Sequence, residues 1–266
     1  MAFNVKVIEY PNGNIQARVF DDSVRENFEK PIKREKYEIE PFTYTKVLST
    51  KYETKEEIEQ KQEKSKYNSY TRCKNMIYTY ARCVNWEWFI TLTISPDSMD
   101  RYDFDICSKC VRRWLNNQRN RFAPDLKYLI VPEQHKDGAW HFHGLLADTG
   151  DMEFIDSGRV QGDDVIYNLS RYKYGFTTAT KVKDVNRVSK YIGKYITKTL
   201  CANTTGKQRY FISQNIPKPI ETNMILEQKN VENLISMLEE STGKTLTYIS
   251  DKKEMAYNPC QYLEFN

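Results

Sequence analysis

The feature that most constrains this chain is a nine-residue stretch, 135–143, that holds all three of its histidines. His141 and His143 are separated by one residue, and the hydrophobic run that follows them is typical of a β-strand. Alternate side chains of a strand point to the same face of a sheet, so the two imidazoles are predicted to lie side by side. Two imidazoles on a rigid strand make half of a metal site.

A carboxylate that could complete this site is Glu133, on the strand that precedes the histidines. The turn between the two strands decides whether it reaches them. A two-residue turn pairs Glu133 with Phe142, whose side chain faces away from the histidines. A three-residue loop, 136–138, pairs Glu133 with His141 and places all three ligands on one face. Gly138 at the third loop position favours the second alternative.

The set Glu133, His141 and His143 would leave coordination positions open for water and substrate oxygens. Because it contains no thiolate, Mg²⁺ or Mn²⁺ fits it better than structural zinc. Such an ion would act as a Lewis acid on a phosphate group. The alternative is that the two histidines are hydrogen-bonded residues on a surface strand. His135 is expected to be a solvated turn residue.

A second group of reactive side chains follows about fifty residues later. Tyr191, Lys194, Tyr195 and Lys198 recur at helical spacing and would form one stripe of a helix predicted over about 184–200. A phenol with an ordinary pKa near ~10 is a poor nucleophile at neutral pH, but neighbouring ammonium groups favour the phenolate. The alternative is a tyrosine face that packs on the sheet.

The charges are unevenly distributed along the chain. From Arg171 to Arg209 there are ten Lys or Arg residues and one acid, although the net charge of the whole chain is +4. Tyr172, Tyr174 and Phe176 are interleaved with these cations. Cations for phosphates and rings for bases are typical of a groove that binds single-stranded nucleic acid, whereas a solvated face is the alternative.

Six cysteines do not make a disulfide framework in a chain of 266 residues. Cys107 and Cys110 follow the 3.6-residue period of a buried helix face and are predicted to pack in the core, since no second pair completes a zinc site. No apolar run approaches the ~20 residues of a membrane span, and the start lacks the apolar core of a secretory signal. We therefore expect a cytoplasmic protein with no membrane partner.

Strand and helix patterns alternate unevenly and predict an α+β fold, an antiparallel or mixed sheet with helices on its faces. The chain begins with a predicted hairpin around 11–14. Three regions are predicted. They are an N-terminal accessory region with a hairpin and a polar helix or linker, 1–66, a central catalytic domain, 67–215, and a C-terminal helix and strand extension, 216–266.

Three segments, in their order along the chain, resemble the motifs of HUH endonucleases that initiate rolling-circle replication. They are a strand motif, a histidine–hydrophobe–histidine pair and the two-tyrosine motif of phage and plasmid initiators: Phe89-Ile-Thr-Leu-Thr93, His141-Phe-His143 and Tyr191-xxx-Tyr195-xx-Lys198. Several members of this class place a third metal ligand at the spacing of Glu133. The resemblance covers about residues 70–215.

This resemblance implies a central antiparallel, ferredoxin-like sheet of about five strands with flanking helices, in which the histidines face the tyrosines. It implies a single-strand DNA endonuclease and strand transferase that forms a 5′-phosphotyrosine link and releases a 3′-hydroxyl. Tyr191 is expected to act first, and Lys194 and Lys198 would orient the phosphate or the phenolate. The implied partners are single-stranded or hairpin origin DNA and the helicase and polymerase of a bacterial host.

Other functions stay open at this level. A conjugative relaxase or a single-strand transposase shares the chemistry, but relaxases usually have a third metal histidine and such transposases usually have one tyrosine. A non-catalytic protein that binds single-stranded nucleic acid is the alternative from a different class. No ATPase is expected, because Leu238 stands where a phosphate-binding loop ending at Gly243-Lys244-Thr245 requires its first glycine.

Overall fold

The computed structural model describes residues 2–25, 54–197, 200–201, 204, 206–227, 230–251 and 259–266. Lys198, one of the predicted site residues, lies outside this described part. The chain forms two compact units. The terminal unit comprises residues 1–9, 13–62 and 220–266, and the central unit comprises residues 10–12 and 63–219.

The described elements confirm an α+β fold with two antiparallel sheets. The strands are β1 (Ala2–Glu9), β2 (Ile15–Arg25), β3 (Trp88–Thr93), β4 (Lys127–Gln134), β5 (Trp140–Ala147), β6 (Phe154–Gln161), β7 (Asp164–Leu169), β8 (Thr177–Lys181), β9 (Phe211–Ile212), β10 (Ile220–Met224), β11 (Leu246–Ile249) and β12 (Cys260–Phe265). The helices are α1 (Lys55–Ala81), α2 (Phe104–Arg121), α3 (Val185–Ile192) and α4 (Val231–Thr242). None of these helices is both long enough and apolar enough to cross a membrane.

The terminal unit contains a five-stranded sheet in the order β10-β1-β2-β12-β11. Its first two strands form the predicted hairpin, whose turn places Gly13 at a φ of +83°. Alternate apolar residues of the sheet pack against α4 through Leu234 and Leu238. Segments from both ends of the sequence therefore build one core. The helix predicted over 223–240 begins later than expected, because residues 220–224 pair with β1 as a strand.

The central unit contains a seven-stranded sheet in the order β6-β7-β8-β3-β5-β4-β9. The predicted sheet of about five strands corresponds to its middle, and the edge strands β6 and β9 extend it. Strand β6 has no alternating apolar pattern, since most of its residues are exposed on both faces. The histidine strand β5 lies between β3 and β4, so it is held on both sides by backbone hydrogen bonds.

The two faces of β5 have different environments. Phe142 and Leu146 point to the face that also carries Ile90 and Ile130, and all four are buried. We call this the core face. Helix α2 packs on it, since the Phe104 ring lies 4.8 Å from the Trp140 ring.

Helix α2 begins where its sequence predicts. Asp103 caps it by accepting hydrogen bonds from the backbone N–H groups of Asp105 and Ile106. Cys107 is fully buried, and burial raises its pKa to about 12, as the predicted packing role requires. Cys110 is half-buried, and both thiols are free.

The polar stretch 54–66 belongs to one continuous helix, α1, rather than to a linker. Its first half is exposed, whereas Cys73, Ile77 and Ala81 in its second half are buried in the core. The apolar residues of this second half hold it against the unit.

Gly175 allows the start of β8 to approach the end of β3. A Cβ atom there would lie 2.3 Å from the backbone oxygen of Thr93 and 2.6 Å from the backbone nitrogen of Ser95. Backbone atoms cannot move aside as a flexible side chain can. We predict that Gly175→Ala lowers the free energy of unfolding by about 2 kcal/mol, measured by chemical denaturation.

The control for this prediction is Gly162→Ala. Gly162 also has a positive φ, +62°, but no heavy atom of the described residues lies within 4 Å of its ideal Cβ position. Only the conformational cost remains, about 1 kcal/mol. Equal losses in the two variants would contradict the close-approach argument.

Candidate active site

Glu133 and His141 pair directly across β4 and β5, so the carboxylate lies on the same face as both histidines. The backbone N–H of His135 donates to the oxygen of Ala139, which closes a three-residue loop over 136–138. Gly138 in this loop has a φ of +89°. Of the two turn alternatives, the structure contains the three-residue loop. We call the face that carries these side chains the site face.

Two threonines of β3 lie directly opposite the histidines on the site face. Thr91 pairs with His143 and Thr93 pairs with His141. The Oγ1 atoms of Thr91 and Thr93 lie 3.1 Å and 3.3 Å from the Nδ1 atoms of their partners. These hydrogen bonds orient both rings, so that each Nε2 atom points away from β3.

His143 is hydrogen-bonded on both sides of its ring. Its Nε2 atom lies 2.8 Å from Oε2 of Glu133. This hydrogen bond is the main reason that the pKa of Glu133 is lowered, although burial opposes it. Glu133 is therefore an ionised acceptor beside an imidazole that is only 8 % exposed.

His141 has a different environment from His143. Burial lowers its pKa, and the neighbouring His135 and His143 add to the effect. The ring of His135 stacks on His141 with 4.9 Å between centroids, while its own side chain stays largely exposed. His135 is thus a solvated turn residue, as predicted, that also covers one face of a site imidazole.

The three predicted ligands supply a suitable donor set for a divalent cation, two imidazole nitrogens and one carboxylate on a rigid face. Within the described residues, however, no three His, Cys, Asp or Glu side chains are arranged to hold a metal ion. The hydrogen bond between Glu133 and His143 accounts for this, because the two donors meet each other. The residues fit the group in type and position, and their atoms are arranged as a hydrogen-bonded pair.

The tyrosine segment is shorter than predicted. Helix α3 is capped by Asp184, which accepts from the backbone N–H groups of Asn186 and Arg187. It ends at Ile192 and continues as a single 3-10 turn, Gly193–Tyr195. The predicted helix over about 184–200 is therefore wrong in extent.

Two physical causes account for the early end of α3. Gly193 and the β-branched pair Ile196-Thr197 favour helix poorly. In addition, the Tyr195 ring stacks flat on the His143 ring, with 3.7 Å between centroids and an angle of 11°. The 3-10 turn is the conformation in which this stacking is seen.

The two phenols lie next to each other beside the histidines. The hydroxyl of Tyr195 donates to the hydroxyl of Tyr191 over 3.0 Å. Phe89 of β3 packs against both tyrosine rings and against His143. Tyr191 is 43 % exposed, whereas Tyr195 is 7 % exposed.

These surroundings make the two phenols chemically different. Burial raises the pKa of Tyr191, but hydrogen bonds from Lys194 and Tyr195 outweigh it and lower the pKa overall. The Nζ atom of Lys194 lies 3.6 Å from the centre of the Tyr191 ring. Burial and the hydrogen bond to Tyr191 raise the pKa of Tyr195. A proton is therefore lost from Tyr191 first.

The structure brings together six of the seven predicted site residues, all except Lys198, which is not described. Sequence reasoning assigned no role to Thr91, Thr93 or Phe89. The available signal was their spacing, since Thr91-x-Thr93 repeats the alternation of His141-x-His143 in a strand motif.

Residues 87–200 match the family model for replication-associated proteins of the ORF2 type. This segment is less than half of the chain and contains β3, the histidine strand and both tyrosines. The match supports a replication-initiator family. No curated protein and no solved structure matches the chain in the corresponding comparisons.

Lys194 is predicted to hold the pKa of Tyr191 below its ordinary value of 10. In Lys194→Met the ammonium group is lost, so burial dominates and the pKa rises. The phenolate, which forms as the pH increases, would then appear at higher pH than in the wild type. An NMR titration of isotope-labelled tyrosine measures this directly.

The matched control is Lys181→Met. Lys181 belongs to the same basic segment, but its ammonium group lies over the Trp88 ring. Its removal is expected to leave the Tyr191 titration in place. An unchanged Tyr191 pKa in Lys194→Met would contradict the assignment of the shift to this lysine.

Proposed function

We propose that the chain is a replication initiator that nicks and rejoins single-stranded origin DNA through a covalent tyrosine link. One observation carries the proposal. The ring of Tyr195 stacks on His143, and Tyr195 is hydrogen-bonded to the more acidic phenol of Tyr191. A nucleophile and a donor set suited to activating a phosphate thus share the site face. The family match over 87–200 is consistent with this role.

Glu133, His141 and His143 would hold Mg²⁺ or Mn²⁺. When bound, such an ion draws charge from the scissile phosphate and neutralises the charge that develops on it. Binding requires His143 to give up the Nε2 proton that it shares with Glu133. The Thr91 hydroxyl can then accept the hydrogen bond of the remaining Nδ1–H, because a hydroxyl both donates and accepts.

Tyr191 is the better first nucleophile of the pair. It is the more exposed phenol, its pKa is lowered, and the Lys194 ammonium group lies over its ring. Its oxygen would attack phosphorus and form a phosphotyrosine, while the bond from phosphorus to the 3′-oxygen breaks. The 3′-oxygen takes a proton and leaves as a free hydroxyl. The phosphodiester energy is kept in the link, so the step is reversible.

Tyr195 would act in the second transfer. While Tyr191 is free, the Tyr195 hydroxyl is used as a hydrogen-bond donor and its pKa is raised. Once Tyr191 is esterified it is a weaker acceptor, which releases the Tyr195 hydroxyl. Lys194 lies within 5.1 Å of the Tyr195 ring as well, so one ammonium group can serve both phenols. Lys198 is proposed to help orient the phosphate.

The partners that we propose are single-stranded or hairpin origin DNA, with a host helicase and polymerase to unwind and extend it. The basic segment 171–209 would supply cations for the DNA backbone. A relaxase or transposase of the same chemistry would differ in its DNA and not in the covalent step.

The direct test is formation of an SDS-resistant adduct. Single-stranded DNA fragments tiled across the sequence that flanks the gene are incubated with the protein and Mn²⁺. We expect an adduct with the wild type, and a loss of about a thousandfold or more in Tyr191→Phe. Tyr195→Phe should keep the first cleavage and lose the second transfer.

Two results would contradict the proposal. One is the absence of any adduct from the wild type across all fragments. The other is an undiminished adduct in the Tyr191→Phe, Tyr195→Phe double variant. DNA binding that persists after chelation, without cleavage, would favour a non-catalytic binding protein.

The hydrogen bond from Thr91 to His143 is expected to support metal binding. Thr91→Val removes the hydroxyl at nearly constant volume, so the ring loses its orientation and its Nδ1 partner. We predict a loss of about tenfold in Mn²⁺ affinity, measured by isothermal titration calorimetry. Thr178→Val is the control, because Thr178 pairs with Thr91 on β8 and, in the described part of the chain, has no hydrogen bond to a histidine. Equal affinities in the two variants would contradict the role of Thr91.

A further inference from the structure

A solvent-exposed phenylalanine lies beside the histidines and has no part in the chemistry above. Phe176 is 51 % exposed. The two aromatic residues that precede it in the basic segment are used internally, since Tyr172 packs on Trp114 and Tyr174 packs on Tyr172. Among the described residues, no aromatic ring or cation packs on the ring of Phe176.

The pairing of the strands places Phe176 on the site face. The backbone N–H of Thr93 donates to the oxygen of Phe176 over 2.8 Å and continues the register in which Leu92 pairs with Thr177. Thr93 pairs with His141, and His141 pairs with Glu133. Phe176, Thr93, His141 and Glu133 therefore form one row across four adjacent strands.

This row places the exposed ring close to the site. Adjacent strands are about 4.8 Å apart, so the backbone of Phe176 lies roughly 10 Å from that of His141. A nucleotide with its sugar and base spans such a distance. Side chains in one row of a sheet point the same way, so the ring and the imidazole face the same solvent region.

The position of Phe176 is fixed by the backbone around it. The N–H of Ser95 donates to the oxygen of Tyr174 over 2.8 Å, which adds to the hydrogen bond from Thr93. Gly175, between these two acceptors, lets the strands approach closely. The ring is thus presented by a paired strand end and not by a long loop.

We propose that Phe176 is the stacking platform for the base next to the scissile phosphate in single-stranded DNA. This inference rests on the proposed function, since it takes the row of His141 and Glu133 as the place of that phosphate. Every base has a π face, so stacking on an aromatic side chain adds affinity with little sequence preference. Paired bases in a duplex hide these faces from a flat ring, so the platform favours single strands.

Binding to a fluorescein-labelled oligothymidylate about sixteen nucleotides long tests the platform. Fluorescence anisotropy is recorded in chelator, so that no cleavage occurs. We expect Phe176→Ala and Phe176→Leu to weaken binding about fivefold or more, because neither side chain has an aromatic face. Phe176→Trp keeps such a face and should bind within about twofold of the wild type.

Tyr248→Ala is the matched control, since Tyr248 is a similarly exposed aromatic residue of the terminal unit, and it should bind as the wild type does. The leucine variant retains the apolar volume, and circular dichroism verifies that each variant is folded. Wild-type affinity in Phe176→Ala, or a tryptophan variant as weak as the alanine variant, would overturn the platform.

The two proposals fail separately in these experiments. Loss of binding in Phe176→Ala, with no tyrosine adduct from the wild type, overturns the cleavage function and supports the platform. A tyrosine adduct from the wild type, with unchanged binding in Phe176→Ala, supports the cleavage function and overturns the platform.

Discussion

The antiparallel register of β3, β5 and β4 is the constraint on which the candidate site depends. His141 and His143 share a face because strand side chains alternate, but Thr91, Thr93 and Glu133 reach them only through pairing. A slip of one residue would move a whole strand's set to the opposite face. The apolar residues of the core face would then be exposed, so the hydrophobic core also holds the polar site in register.

The second constraint is the contact between Tyr195 and His143. The flat stacking of the two rings accompanies the end of α3 and buries one phenol while leaving the other in solvent. Identical side chains thereby receive different acidities, since hydrogen bonds favour the phenolate of Tyr191 and burial disfavours that of Tyr195. A two-step reaction needs such a difference, because it sets the order in which the phenols act.

Much of the central unit could be predicted from local patterns. The α2 helix with its Asp103 cap, the histidine strand and the preference for a three-residue loop with Gly138 all follow from spacing and glycine chemistry. Strand β6 escaped prediction because its exposed faces remove the alternating apolar signal. The pairing of β12 with β2 escaped because it joins segments from opposite ends of the chain.

The sequence by itself determined which side chains could act together within one element, the two histidines on a strand and the two tyrosines one helical turn apart. Periodicity along a continuous backbone is enough for that. Only the tertiary structure decided that Glu133 hydrogen-bonds to His143, that threonines orient both imidazoles, and that Tyr191 is the exposed phenol. These contacts join segments ten to fifty residues apart. Their geometry depends on strand register and on packing, which no local pattern encodes.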